Sequence, residues 1–116
     1  DLDGFLAEVL LPLRRGEKVF YRRFDCASMQ LQNAVETAPK KLVVAEGAYS
    51  MHPDLAPYYD LSVFLDISPE LQRERISRRN TPEKAKRFLG EWIPMEQAYF
   101  AAFDIPAKCT LRLPIL

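Results

Sequence analysis

The 116-residue sequence has few of the residues that build metal and redox centres. It holds one histidine, His52, and two cysteines, Cys26 and Cys109, which lie far apart and form no C-x-x-C pair. One imidazole and two distant thiols do not make a zinc site, so free thiols in a reducing compartment are expected. Glycine is scarce, with 4 residues, and no G-x-x-x-x-G-K-[ST] loop occurs. There is no apolar run of about 18 residues and no signal-peptide apolar region, so neither a membrane span nor export is expected, and the cytoplasm is the expected location. Charge of one sign is also missing: 16 basic and 16 acidic residues cancel. That balance argues against a general nucleic-acid or membrane-surface binder. The chain begins at Asp1 without a methionine, as a fragment or trimmed chain does.

What is present points to one folded domain. Hydrophobic residues make up 48% of the chain, enough for a core, and the length suits a single domain. Phe5, Leu6, Val9, Leu10 and Leu13 recur at helical spacing over residues 3–14, with Gly16 as a stop and Pro12 expected to end or bend the helix. Lys18 to Phe24 is rich in β-formers, and residues 28–38 form an ambiguous, weakly amphipathic stretch before Pro39. Lys41 to Ala45 and Leu61 to Ile67 are short, continuously apolar and bounded by turn residues, as strands buried on both faces of a parallel sheet are. A short helix is expected between them, over Pro53 to Tyr59. Ser68-Pro69-Glu70 reads as a helix start, with a cap, a proline at the first helical position and an acid in the first turn. Thr81-Pro82-Glu83 repeats that grammar and opens a helix to about Phe103, which Pro94 is expected to kink or split. Cys109 to Leu113 is a last, weaker strand. Strand–helix alternation implies an α/β fold with a parallel sheet and a ligand beyond the carboxyl ends of its strands.

The candidate chemistry gathers at that edge. Glu46 would end one buried strand and Asp66 another, and the helix after Ser68 carries Arg73, Arg75, Arg78 and Arg79. Residues 71–80 hold four arginines against one glutamate, a local +3 on a neutral chain, which suits a small anionic ligand. A carboxylate able to hold hydrated Mg²⁺ beside guanidinium groups able to grip phosphate is equipment for phosphoryl transfer. Arg73 falls on a different helix face and is expected to face solvent. Glu70 and Glu74 are positioned to pair with some of these arginines. His52 is expected to be a structural loop residue. Trp92, Tyr99, Phe100 and Phe103 are expected to form a core stripe.

Val43-Val44-Ala45-Glu46-Gly47, the segment Asp60 to Asp66, and Arg75-Ile76-Ser77-Arg78-Arg79 resemble the carboxyl-terminal half of the uridine kinase-like P-loop kinases. The run Phe88 to Phe103 is similar to the segment after the lid in bacterial members. Asp1 to Arg15 and Tyr21-Arg22-Arg23-Phe24-Asp25 resemble the family's helix and substrate-facing segment. The resemblance implies a three-layer α/β/α fold with a parallel sheet, incomplete because the amino-terminal strand and phosphate loop are absent. It implies one partial domain over residues 1–116 with a lid-like region at about 73–87. It further implies part of an ATP-dependent small-molecule kinase that moves the ATP γ-phosphate to a nucleoside or similar hydroxyl, with Mg²⁺. The 116 residues alone are expected to be inactive.

By the same resemblance Glu46, Arg75 and Arg78 are catalytic, and Arg75, Arg78 and Arg79 bind phosphate. Tyr21, Arg22, Phe24 and Asp25 face the nucleoside, and Glu46 holds Mg²⁺ through water. Met29 and Leu31 stand where the family shows a polar pair, which leaves room for a pantothenate kinase-like, phosphoribulokinase-like or other sugar or vitamin kinase. The missing loop leaves room for a non-catalytic domain that binds phosphorylated metabolites or a partner chain. The expected partner is a nucleoside-like small molecule, not nucleic acid or membrane. A strand missing between Lys41–Ala45 and Leu61–Ile67 would leave apolar strand edges without a partner; an unseen or removed segment is the first expectation for that gap and self-association of the chain the second.

Overall fold

The helical spacing of the first residues becomes a helix in the computed structural model, which describes residues 1–116. α-Helix α1 (Leu2–Phe5) starts on Asp1, whose carboxylate accepts from the Gly4 amide. A π-helical segment, Leu6–Leu10, follows, and then α2 (Leu11–Arg14). Gly16, at φ +69°, ends the helix in a conformation that favours glycine. Pro12 neither ends nor splits the helix. It lacks the N–H that an α-helix would use, and the wider π-turn just ahead of it, closed by Leu11 N–H to the Leu6 carbonyl, carries the chain through.

The extended residues that follow form a hairpin. Strand β1 (Val19–Asp25) pairs antiparallel with β2 (Gln30–Thr37), in register from Val19 opposite Thr37 to Asp25 opposite Gln30. A bulge between Arg22 and Phe24 gives β2 one extra residue. The stretch that looked ambiguous is therefore a strand, and its turn is built by side chains. Asp25 accepts from the Ala27 amide and from the Ser28 hydroxyl, and Met29 takes a left-handed φ of 56°. β1 packs against the π-helical segment, and Leu10, Val19 and Leu55 are the buried apolar side chains of this part.

Lys41 to Ala45 is not a strand. The run has no regular secondary structure and pairs with nothing, and Leu42, Val43 and Val44 are 80%, 50% and 77% exposed. Its composition suits a buried strand, but a strand needs a hydrogen-bonding neighbour, and neither two-stranded sheet extends to this run. The helix expected over Pro53 to Tyr59 shrinks to a single 3₁₀ turn, Ala56–Tyr58.

Residues 60–116 form a second compact unit, as residues 1–59 form the first. Its strands are β3 (Val63–Asp66) and β4 (Leu111–Pro114), paired parallel with Val63 opposite Leu111 and Leu65 opposite Leu113. Ser62 and Thr110 clamp the entrance, each amide donating to the other's hydroxyl oxygen at 3.1 and 2.9 Å. Between the strands run α3 (Pro69–Arg79), α4 (Pro82–Arg87), a π-helical segment (Phe88–Trp92), α5 (Ile93–Phe103) and the short α6 (Ile105–Lys108). Pro94 repeats the solution seen at Pro12: the helix passes through it behind a π-turn, closed by Ile93 N–H to the Phe88 carbonyl. Asp104, in the left-handed region at φ 53°, separates α5 from α6.

The parallel pair has two unlike faces. On one, Phe64 meets Phe100 of α5 edge-on at 5.3 Å between centroids, and Arg112 binds Asp66. On the other lie Val63, Leu65, Leu111 and Leu113, all exposed, beside Leu61. Ile76, Ala85 and Ile105 are the buried apolar residues here. Total exposed surface is 8887 Å². Even two separate compact bodies sharing the 13.4 kDa mass would leave only about 7800 Å². The chain is mixed α/β with a small parallel sheet and a bare apolar face. No helix is long and apolar enough to cross a membrane.

Candidate functional site

Two residues, Ile67 and Ser68, separate the end of β3 from the start of α3, as the sequence grammar requires. The Ser68 hydroxyl accepts from the Leu71 amide at 3.2 Å, Pro69 fills the first turn, and Glu70 complements the positive helix end. Thr81 caps α4 in the same way through the Lys84 amide. The Ser68 cap fixes where α3 starts, and with it where its arginines emerge.

Successive helical residues turn by about 100°, so Arg75, Arg78 and Arg79 share one side of α3 and Arg73 lies opposite. Each member of the trio has a local partner. Arg75 donates from Nη2 to the carbonyl of Leu116 at 3.2 Å. Arg78 pairs with Glu74 one turn back, and the Arg79 guanidinium sits 5.9 Å from the centre of the Phe88 ring. Asp66, at the end of β3, is occupied by Arg112, which donates to it from Nε at 2.9 Å and Nη2 at 2.8 Å. Arg73 is exposed, as expected, but it also lines a groove with residues of α4.

The other candidates belong to the first unit. Glu46 does not end a strand. It stands with no hydrogen bond or ion pair at the end of the unpaired run and ahead of Gly47, whose φ of +154° suits glycine. Tyr21 and Arg23 form a pair, the guanidinium 5.9 Å from the ring centre. Arg22 is tied to the first helix: its amide and its Nε both donate to Glu8, at 2.9 and 2.7 Å. Phe24 is exposed opposite Leu31. Asp25 organises the hairpin turn, and the Ser28 hydroxyl, followed by the Ala27 amide, holds its carboxyl below the usual carboxylate range. His52 accepts from the Asp54 amide within its own turn, in keeping with a structural role. Of the aromatic stripe, Phe100 meets β3 and Tyr99 meets Phe103 edge-on, whereas Trp92 meets Phe88 and Arg87 along its own helix.

Three features escape sequence reasoning. Glu8 is the anchor of Arg22, and the Arg22 amide does most to hold its carboxyl below the usual range. An acid set among the apolar positions of the first helix, with arginines in the next strand, was the available signal. Glu96 is pushed up by burial on α5. The Tyr59 hydroxyl is buried without a hydrogen-bond partner, and burial raises its phenol above the ordinary value.

No family model matches the chain. Over 88 residues, 75% of its length, it is 36% identical to a thymidylate kinase of Methylobacillus flagellatus. The similar stretch covers 42% of that relative, so the chain spans less than half the length of the protein it matches.

Proposed function

We propose that the chain is the carboxyl-terminal part of an ATP-dependent nucleoside or nucleotide kinase of the P-loop kinase class, one partial domain of a three-layer α/β/α fold with a lid-like region at about 73–87. The observation that carries this reading is the 36% identity to a thymidylate kinase across 88 residues. It is supported by a parallel strand pair whose β3 feeds a capped, arginine-rich helix, since ligands in such sheets lie beyond the carboxyl ends of the strands.

In this reading Arg75, Arg78 and Arg79 take up the charge of the transferred phosphoryl group, which guanidinium groups do bidentately. Their present partners are weak competitors. An exposed pair one helical turn apart, such as Glu74–Arg78, is worth about 0.3–0.5 kcal/mol. A phosphate therefore displaces it readily. Glu46 is a free carboxylate and fits a role in holding the waters of Mg²⁺. When bound with ATP, that ion neutralises charge on the phosphate oxygens. Tyr21, Arg22, Phe24 and Asp25 are assigned to the acceptor side, Arg22 by fixing the hairpin to the first helix. The acceptor is a pyrimidine nucleoside such as uridine or, following the relative, its monophosphate.

The test is a chimera in which this chain replaces the corresponding part of the thymidylate kinase, assayed with ATP·Mg²⁺ against uridine, thymidine and their monophosphates. Turnover that Arg78→Ala lowers at least about tenfold, with the acceptor KM little changed, is the expected result, because charge neutralisation matters most in the transition state. The 116-residue chain alone, lacking the phosphate loop, should give no turnover. A folded but inactive chimera would overturn the reading.

A further inference from the structure

Helix α3 has a second face, and it is built differently from the first. Arg73 and Ser77, one turn apart, line a groove of about 610 Å³ whose far side is Ala85, Lys86, Leu89 and Gly90. No acid lines it. Arg73 and Lys86 come from different helices and have neither ion pair nor hydrogen bond, while Arg75, Arg78 and Arg79 are each engaged. Two uncompensated cations facing one concavity favour an anion there, and the Ser77 hydroxyl adds a third donor. The wall beneath is apolar, made of buried Ala85 and half-buried Leu89. The π-turn Phe88–Trp92 carries Gly90 to the rim, and a Cβ built there would meet nothing within 4 Å. The groove is open where a ligand would enter. π-Turns of this kind occur often at functional sites.

We propose that this groove binds an organic phosphate monoester, its phosphate held by Arg73, Lys86 and Ser77 and its apolar body lying on Ala85 and Leu89. The groove overlaps the region read above as lid-like, but it lies on the opposite side of α3 from Arg75, Arg78 and Arg79. Phosphate suits the three donors because it offers several acceptor oxygens at once. The apolar wall then separates an organic phosphate from inorganic phosphate.

The chain's single tryptophan, Trp92, lies in the same π-turn as Gly90 of the groove's rim and serves as the fluorescent reporter. Phenyl phosphate is titrated into the 116-residue chain while Trp92 fluorescence is followed, with inorganic phosphate and phenol as controls. A saturable change is expected for phenyl phosphate, at least tenfold weaker for either control. The double variant Arg73→Gln/Lys86→Gln should weaken binding at least tenfold, and Lys108→Gln, which removes an exposed cation that does not line the groove, should leave it within twofold. Both altered side chains are exposed, and circular dichroism checks the fold. Gly90→Leu supplies a second route, filling the mouth without touching charge, and should also weaken binding at least tenfold. No saturable change, equal affinity for inorganic phosphate, or binding that persists undiminished in Arg73→Gln/Lys86→Gln would sink the proposal.

Discussion

Glu8 serves a strand edge and a side chain at the same time. Its carboxylate accepts the Arg22 amide, which faces away from β2, and also the Arg22 guanidinium. An edge strand with an open amide invites pairing with other chains, so this contact closes one such position. Because the carboxyl is held below its usual range in the fold, the contact is fully formed at pH values above the ordinary carboxylate pKa. It is lost as pH falls through the lowered folded value. Hydrogen exchange corrected for intrinsic rate should show the Arg22 amide protected at neutral pH and unprotected in acid, and Glu8→Ala should remove the protection at every pH. Protection that persists in Glu8→Ala would mean the amide is shielded by something else. At this scale the sequence was informative about residue type and poor about pairing. That Arg75, Arg78 and Arg79 share a face follows from spacing alone. That Arg22 would be committed to Glu8 does not, because the pairing depends on where the hairpin meets the helix.

The elements divide by how local their causes are. Ser68-Pro69-Glu70 and Thr81-Pro82-Glu83 were legible because a cap, a proline and an acid act within one turn. Removing the Ser68 hydroxyl by Ser68→Ala should cost about 1 kcal/mol. Thermal unfolding followed by helical circular dichroism checks this, and an unchanged transition would show that the cap is redundant. The π-turns were not legible. A proline inside a helical pattern predicts a break, yet at Pro12 and Pro94 the apolar face continues beyond the proline and the backbone absorbs the missing donor instead. Pro94→Ala restores that donor, so the Phe88–Trp92 segment should relax to α-helix, with the new backbone amide bonded to the Gly90 carbonyl. Amide exchange reads this directly. Free exchange of the amide gained in Pro94→Ala would show that the π-turn is set by packing and not by proline. Lys41 to Ala45 failed for a third reason. Composition shows that a segment can enter a sheet, but whether it does depends on a neighbour that lies elsewhere.

For the molecule as a whole, the surface is the notable quantity. Val63, Leu65, Leu111 and Leu113 present an apolar face that a parallel sheet normally buries, and Leu61 at 60% and Leu65 at 59% exposure are its most open members. The chain should therefore self-associate at micromolar concentration and bind a hydrophobic dye. Leu65→Lys with Leu113→Lys should return the scattering mass toward that of one chain. A monodisperse monomer that ignores the dye would show that the face is covered in solution. The α/β class and the parallel pairing were readable from alternation and short apolar runs, but the bareness of one face was not, since composition alone does not reveal which surfaces find neighbours. The spacing of β3 and β4 carries one more consequence, for the order of assembly. Ser62 and Thr110 meet across 48 positions, whereas the hairpin closes on a four-residue turn, and the longer closure costs roughly 2 kcal/mol more in chain entropy. The hairpin zips up on its own within microseconds. During synthesis β3 emerges long before β4 and has to wait for it, so the interval before β4 arrives is when the chain is most exposed to misassembly.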